Sequence, residues 1–235
     1  MAPDMTPPRK PAPAADPPGS LVDVAYQTMR RRILDNEWSP GYRALEHELA
    51  LALGMSRTPV REALIRLANE GLVEVVPRHG MRVLPVSAAD MDEIYQVLGS
   101  LEATAAELVA LRQPTPAEVA PLEAASRAMD AALKRDDLEA WAQADERFHR
   151  HLVELCGNRL LVATVQNFWD RAHRARMFTL RLRPKPVDST REHMALVRAI
   201  RRGDADAARE LHRAHRERGR RELTSILARY RLPTL

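Results

Sequence analysis

The chain has 235 residues, of which 45% are hydrophobic and 29% charged, and its formal net charge is +4 at pH 7. This length has room for one small domain of about 70 residues and one of about 140. No uninterrupted apolar run approaches the roughly 18 residues that span a bilayer, and the single Cys156 excludes an intramolecular disulfide, so we expect a cytoplasmic protein without a membrane anchor.

The first 18 residues contain seven prolines and no apolar periodicity, which predicts a disordered, extended tail. A first helix is predicted from Leu21 to Asn36, and the Ser39-Pro40-Gly41 turn follows it. The segment from Glu46 to Leu53 is predicted as a short second helix, because leucines recur along one face.

The next segment, Gly54 to Leu64, predicts a tight turn that leads into an amphipathic helix. Thr58 followed by Pro59 is typical of an N-cap and a first helical position. Arg57 and Arg61 are four residues apart and project together, away from the apolar stripe. Two helices joined by such a turn form a helix-turn-helix, and arginine can pair bidentately with guanine or hold a phosphate. An ordinary amphipathic helix with a solvated charged face would show the same charge and periodicity.

Two short β-prone runs, 72–76 and 81–84, flank the segment Pro77-Arg78-His79-Gly80. They predict a hairpin with a basic tip. A hairpin directly after a recognition helix is the wing of a winged helix, whose tip, here with His79, contacts the DNA backbone or minor groove. Residues 19–87 are therefore predicted to be a winged helix-turn-helix domain of three helices plus a small β-hairpin wing.

Residues 88–230 predict an all-α antiparallel helical bundle, and 231–235 a short tail. Ser87 is expected to cap the first bundle helix, at the joint between the two domains. Strand patterns and internal repeats are absent from this part of the sequence. Prolines and glycines divide it into predicted helices at 88–112, 115–135, 136–156, 158–182, 188–202 and 204–230.

Four titratable residues fall on the apolar faces of these helices. Asp145 and His149 lie four residues apart on one stripe, while His193 and His215 lie on stripes of the last two helices. A buried carboxylate or imidazole is costly unless it finds a partner. The helical pattern is interrupted at Gly203, about halfway between His193 and His215. An antiparallel helical hairpin that turns at Gly203 would bring the two histidines to the same level.

One aspartate and three histidines form a good ligand set for a divalent transition metal, with positions left open for water or an effector oxygen. A lone histidine on an apolar face is more often a satisfied core residue, but four residues at mutually compatible positions favour a metal site. His212 lies one step off the apolar stripe and is predicted to lie outside the site. His151 and His173 are predicted to lie at the surface or between helices.

A long motif runs through the first part of the chain: Pro40-Gly41, Leu45-x-x-Glu48-Leu49-Ala50, the run Leu53 to Leu64, Leu67 and Glu70-Gly71-Leu72-Val73. With this motif, the chain from about residue 20 to 86 resembles the DNA-binding domain of GntR-type bacterial transcriptional regulators. The resemblance implies that Arg57, Thr58 and Arg61 contact operator DNA and that Gly80 approaches its backbone. His47 stands where some relatives carry a DNA-contacting arginine, and it is not assigned that contact.

The second part of the chain carries a further set of motifs: Asp145-x-x-x-His149, Cys156-Gly157-Asn158, Glu192-His193, Ala199-Ile200-x-x-Gly203-Asp204 and His215. With these motifs, the chain from about residue 90 to 228 resembles the FCD effector-binding domain of the FadR subgroup. In metal-binding members, residues matching Asp145, His149, His193 and His215 hold a Zn-, Ni- or Mn-type ion at the floor of a cavity where small carboxylates bind. Many relatives carry an arginine where this chain has Leu98, so another residue must hold the effector or the ligand must differ.

These observations favour a homodimeric, metal-containing transcriptional repressor. Two winged helices would read an inverted repeat in double-stranded DNA, and a small organic acid bound in the helical domain would alter operator affinity. Basic and acidic residues nearly balance over residues 1–89, so affinity for DNA must come from local placement and dimerisation.

Two alternatives remain open at this point. A metal-dependent hydrolase or lyase acting on small carboxylates would need a general acid or base beside the metal, and none is evident beyond the ligand residues. The sequence also lacks a Ser/His/Asp order, a Gly-rich phosphate loop and a CxxC pair. A nucleoid-type structural DNA binder would show little sequence preference and a steep salt dependence.

Overall fold

The computed structural model describes residues 19–76 and 79–230. The predicted tails, 1–18 and 231–235, lie outside these residues, as do Pro77 and Arg78 of the predicted wing tip. The first helix, α1, spans Leu21–Leu34 and begins after Ser20, whose hydroxyl accepts a hydrogen bond from the Asp23 backbone.

The helix-turn-helix forms where it was predicted. Helix α2 spans Glu46–Leu53 and ends at Gly54, whose φ of +64° is in the left-handed region. Helix α3 spans Arg57–Asn69 and follows Ser56 in an extended conformation, so the predicted N-cap at Thr58 is wrong. Pro59 is the third helical residue, still in the first turn, where a backbone N–H has no intrahelical acceptor and proline costs nothing.

The predicted hairpin is confirmed and carries a third strand. The strands are β1 (Arg43–Ala44), β2 (Val73–Val76) and β3 (Gly80–Val83), arranged antiparallel in the order β1-β3-β2. β1 was not predicted, because two residues are too few to show an alternating pattern. At Gly80, with φ +78°, an added Cβ would lie 2.1 Å from the Ala44 carbonyl oxygen, so only glycine fits beneath β1.

The predicted all-helical bundle is confirmed: beyond Ser87, the described residues form helices and their connections. The hydroxyl of Ser87 caps the first of these helices, as predicted, by accepting a hydrogen bond from the Asp90 N–H, and the Asp90 carboxylate accepts one from the Ser87 N–H. The helices are α4 (Ala88–Arg112), α5 (Pro116–Lys134), α6 (Leu138–Leu155), α7 (Arg159–Thr179), α8 (Val187–Arg201) and α9 (Ala205–Arg229), with a 3-10 turn at Leu180–Leu182.

Two separate hydrophobic clusters stabilise the described part of the chain. One joins α1, α3 and the sheet, and the other fills the helical bundle. Helix α4 is long and apolar enough to cross a membrane, but half of its apolar window is buried inside the bundle. Its apolarity is therefore explained by the bundle core.

Helices α1 and α7 meet where the two clusters adjoin. Arg30 of α1 forms an ion pair with Asp170 of α7, and Arg174 Nη1 donates a hydrogen bond to the Leu84 carbonyl oxygen at 3.1 Å. Cavities flank these contacts on both sides. The contact surface between α1 and α7 is thus polar and incompletely filled.

Candidate functional site

The first turn of α3 displays the predicted DNA-contacting side chains on one face. The side chains of Arg57 and Arg61 are 64% and 58% exposed, and Thr58 is exposed beside them. The opposite face of α3, including Val60 and Leu64, is buried against the core. This is the arrangement that a recognition helix needs, since its arginines can reach base edges while the helix stays anchored.

The two predicted wing residues, His79 and Gly80, differ in their exposure to solvent. His79 is exposed beside the undescribed tip of the hairpin, whereas Gly80 is buried beneath β1. The close approach to Ala44 therefore explains why residue 80 is glycine. Its contact with the DNA backbone stays a prediction.

Glu46, which the sequence analysis did not single out, holds both arginines of the recognition helix. Its carboxylate accepts hydrogen bonds from Arg61 Nη2 at 2.8 Å and from Arg57 Nη2 at 3.4 Å. The hydrogen bond from Arg61 contributes most to lowering the pKa of Glu46. Glu46 thus keeps the two guanidinium groups together and offsets part of their charge.

We expect Glu46→Gln to tighten binding to non-cognate duplex DNA about threefold for each recognition helix on the DNA, the effect of releasing one surface ion pair worth roughly 0.6 kcal/mol. The ratio of cognate to non-cognate affinity should fall, because the arginines lose the partner that orients them. Fluorescence anisotropy with the two duplexes measures both quantities. Glu62→Gln is the matched control, since it removes the same charge from an exposed position on α3. Equal non-cognate affinities of the two variants would contradict the role assigned to Glu46.

The four predicted metal ligands come together inside the bundle. Asp145 and His149 of α6, His193 of α8 and His215 of α9 are all buried, and one ligand atom from each lies within 4.8 Å of the others. The Nε2 atoms of His149 and His193 are 3.2 Å apart, and Asp145 Oδ1 lies 3.5 Å from His193 Nε2. The ring centres of His193 and His215 are 4.5 Å apart, so the fold at Gly203 brings them to the same level as expected.

The geometry of this cluster fits a transition-metal ion. A tetrahedron with metal–ligand bonds of about 2.1 Å has edges of about 3.4 Å, close to the observed ligand separations. Two of the three histidines place their second ring nitrogen beside a carboxylate, as is typical of metal-bound histidines. His215 Nδ1 lies 2.7 Å from Glu192 Oε2, and His149 Nδ1 lies 3.0 Å from Glu102 Oε2, whereas His193 Nδ1 has no hydrogen-bond partner among the described residues.

The protonation states of the cluster also suit a metal. Burial, with help from the neighbouring imidazoles, lowers the pKa of His193 and His215 well below the usual range, so both are neutral at pH 7. Burial opposes ionisation of Asp145, but Arg176 and the histidines override it and hold that pKa well below the usual range. Neutral imidazoles and an ionised carboxylate are the forms that bind a metal.

Arg176 of α7 contacts the cluster from the side opposite the histidines. Its Nη2 donates to Asp145 Oδ2 at 2.5 Å, which leaves Oδ1 facing His149 and His193. No local pattern predicts this contact, because Arg176 and Asp145 lie 31 residues apart on different helices.

Glu102 of α4 is a second centre that the sequence analysis did not identify. It is fully buried and accepts hydrogen bonds from Arg216 Nε at 2.9 Å and from Trp169 Nε1 at 3.2 Å, while His212 Nε2 lies 2.9 Å away. Together with His149 and His212 it forms another set of suitable metal ligands. Both carboxylates are paired with an arginine, but the cluster around Asp145 offers four ligands against three here and is therefore the stronger metal candidate.

The remaining histidines divide as follows. His212 is only 1% exposed, so the expectation that it lies off the buried face is wrong: α4 and α8 both pack on α9 and widen its buried arc. Burial lowers the pKa of His212 to about 4, which leaves it neutral. His173 Nδ1 lies 3.0 Å from Glu146 Oε2 between α7 and α6, and His151 is at the surface, both as predicted.

A cavity of about 390 Å³ opens beside the cluster. His149, Arg176 and Arg216 line it, together with Leu98. Its volume lies within the range of about 300–1,000 Å³ that is typical of small-molecule sites. Many relatives carry an arginine at the position of Leu98. In this chain Leu98 lines the cavity without a charge, and Arg176 of α7 and Arg216 of α9 are among the arginines that line it.

Comparisons with known proteins agree with both halves of the structure. The family profile "Bacterial regulatory proteins, gntR family" matches residues 21–83, and the FCD domain profile matches residues 93–218. An uncharacterized HTH-type transcriptional regulator of Agrobacterium vitis is 50% identical over 134 residues, covering 56% of this chain and 78% of its own. Another from Streptomyces ambofaciens is 37% identical over 195 residues, covering 81% and 79%.

Among solved structures, Escherichia coli McbR/YncC has the same fold. It superposes with a TM-score of 0.73 at 23% identity, covering 90% of this chain and 99% of its own. The helix-turn-helix with its exposed arginines and the profile matches over both halves lead to one conclusion. The chain belongs to the GntR family of bacterial transcriptional regulators and carries a C-terminal FCD domain; it is a DNA-binding regulator rather than an enzyme.

Proposed function

We propose that this regulator is a homodimeric repressor whose affinity for an inverted-repeat operator is controlled by a small carboxylate bound at a metal site in the FCD domain. One observation carries the proposal: four buried ligand side chains converge in the bundle, and one of them, His149, also lines a cavity of metabolite size. The domain division that goes with it is 19–87 for DNA reading and 88–230 for metal and effector binding, in a cytoplasmic protein.

Asp145, His149, His193 and His215 would hold a divalent transition metal of the Zn, Ni or Mn type. When bound, the ion supplies positive charge and an open coordination position for a carboxylate oxygen. The protein supplies little net charge there itself, because Arg176 is paired with Asp145 and Arg216 with Glu102. Anion binding should therefore depend on the metal.

The DNA-reading part of the proposal rests on the exposed first turn of α3. Arg57 and Arg61 would contact base edges or phosphates and Thr58 the backbone, with His79 and Gly80 of the wing alongside. A monomer carries a single DNA-reading surface of modest charge. Specific binding would therefore need two chains related by a two-fold axis, each contributing one such surface.

An apolar stripe on α4 supports the dimer. Val97 and Leu111 are exposed, Leu111 by 62%, and the partly buried Leu101 and Leu108 lie between them at helical spacing. Exposed apolar side chains in such a row are typical of an interaction surface. Pairing this stripe with its copy in a second chain would bury it on the two-fold axis.

Selection of binding sites from a random duplex library tests the function. The Zn²⁺-loaded full chain should enrich an inverted repeat whose half-sites are about one helical turn apart, with two chains bound per duplex. Adding malonate, succinate or citrate should weaken the complex, and placing the selected site in a promoter should lower transcription. Binding without sequence enrichment and with a steep salt dependence would instead indicate a structural DNA binder.

A further inference from the structure

We infer that the ligand cavity is shared by both halves of the chain, so that a small organic anion bound there is also held by Arg31 of α1 in the DNA-binding half. The inference rests on the proposed carboxylate-binding function and adds that Arg31 binds the second anionic group of the ligand. A ligand in this position would contact the DNA-reading half directly.

The location of the cavity is the first observation. Helices α6, α7 and α9 contribute to its lining, among them His149 and Arg176. One face of α1 contributes as well, with Gln27, Arg30 and Arg31. A molecule in this cavity that contacts His149 therefore lies beside α1.

The charges around the cavity are the second observation. Four of its arginines have acidic partners: Arg30 pairs with Asp170, Arg150 with Glu146, Arg176 with Asp145 and Arg216 with Glu102. Among the residues that the structure describes, Arg31 is the lining arginine without such a partner.

The carboxylate of Asp35 also lines the cavity, and its negative charge would oppose the binding of an anion. Asp35 also lacks a basic partner within the described ranges, but it lies at the edge where the cavity meets its neighbour. Arg31 thus lines the same cavity as His149 of the metal cluster and is placed to bind one anionic group of a ligand held there. A small molecule with two carboxylates, or a carboxylate and a second anionic group, has the required chemistry.

The packing of α1 gives this contact a consequence for DNA reading. Met29 and Ile33 of α1 are fully buried in the core that also holds α3. Tyr26 Oη donates to Glu70 Oε1 at 2.8 Å, and the Arg66 guanidinium lies 4.0 Å from the Tyr26 ring centre. Helix α1 therefore moves together with the recognition helix. A ligand that bridges the metal cluster and Arg31 changes how the DNA-reading half sits on the FCD domain.

Calorimetric titration of the Zn²⁺-loaded full chain with malonate, succinate and citrate tests the inference. For the probe that binds best, Arg31→Ala should weaken affinity about fivefold to tenfold, as expected for loss of one charge-assisted hydrogen bond at a partly exposed site. Arg32→Ala removes the same charge from the next position on α1, outside the cavity lining, and should stay within about twofold of the unmodified chain.

The two possible failures are distinguishable. Equal affinities of Arg31→Ala and the unmodified chain would overturn the shared cavity and leave carboxylate binding intact. If no probe binds the Zn²⁺-loaded chain, both the shared cavity and the proposed carboxylate response are wrong. Metal content, measured on the same samples, should be equal in all three proteins.

Discussion

Replacing Arg61 by alanine is expected to abolish operator-specific binding without unfolding the protein. A bidentate arginine–guanine pair contributes about 1–3 kcal/mol of discrimination, and a two-fold dimer uses the residue twice. The expected loss is therefore about 2–6 kcal/mol, or roughly 30-fold to 10⁴-fold in affinity. The fold should tolerate the change, because the Arg61 side chain is exposed and bonds only to Glu46 among the described residues.

Fluorescence anisotropy with the selected operator and a scrambled duplex measures this loss. Arg213→Ala is the matched control, since it removes the same charge from an exposed site on α9. Thermal unfolding should give the same midpoint for both variants within about 2 °C. Near-wild-type operator affinity of Arg61→Ala would refute the recognition-helix assignment, whereas equal losses on both duplexes would assign Arg61 to phosphates.

Removing two histidines from the buried cluster is expected to remove the metal. The double substitution His149→Ala and His215→Ala leaves Asp145 and His193, and two ligands do not hold a transition metal against dialysis. Metal content should fall from about one ion per chain to below roughly a tenth. The rise in thermal stability on adding Zn²⁺, which reflects binding to the folded state, should disappear with it.

A second pair of histidines provides the control for that experiment. His151→Ala with His173→Ala also removes two imidazoles from α6 and α7, but neither residue belongs to the cluster. Mass-spectrometric metal analysis after dialysis compares the two double variants, and circular dichroism verifies that both are folded. Unchanged metal content in the first variant would rule out the ligand set.

Local spacing made much of this protein predictable from its sequence. Gly54 and the periodicity that follows it indicated the recognition helix, and the four-residue spacing of Asp145 and His149 placed them on one face of α6. The break at Gly203 was enough to align His193 with His215. Each of these inferences depends on residues within one helix or one helical hairpin, where geometry is fixed by the backbone.

Long-range packing set the limits of that reasoning. Glu102 and Arg216 are 114 residues apart in the chain, and Arg176 reaches Asp145 across 31 residues, so periodicity could not predict either contact. The burial of His212 likewise depends on which neighbours cover α9. The N-cap of α3 was predicted wrongly for a different reason. Ser56 and Thr58 are both good N-cap residues, and Pro59 is compatible with a helix that starts after either of them.

The response of operator affinity to a carboxylate tests the central claim most directly. The Zn²⁺-loaded chain is titrated onto its selected operator at increasing concentrations of the best-binding carboxylate probe, alongside the His149→Ala and His215→Ala double variant. Metal-dependent control predicts that the Kd of the unmodified chain rises with the probe while that of the variant stays constant. A Kd of the unmodified chain that does not change with the probe would contradict it.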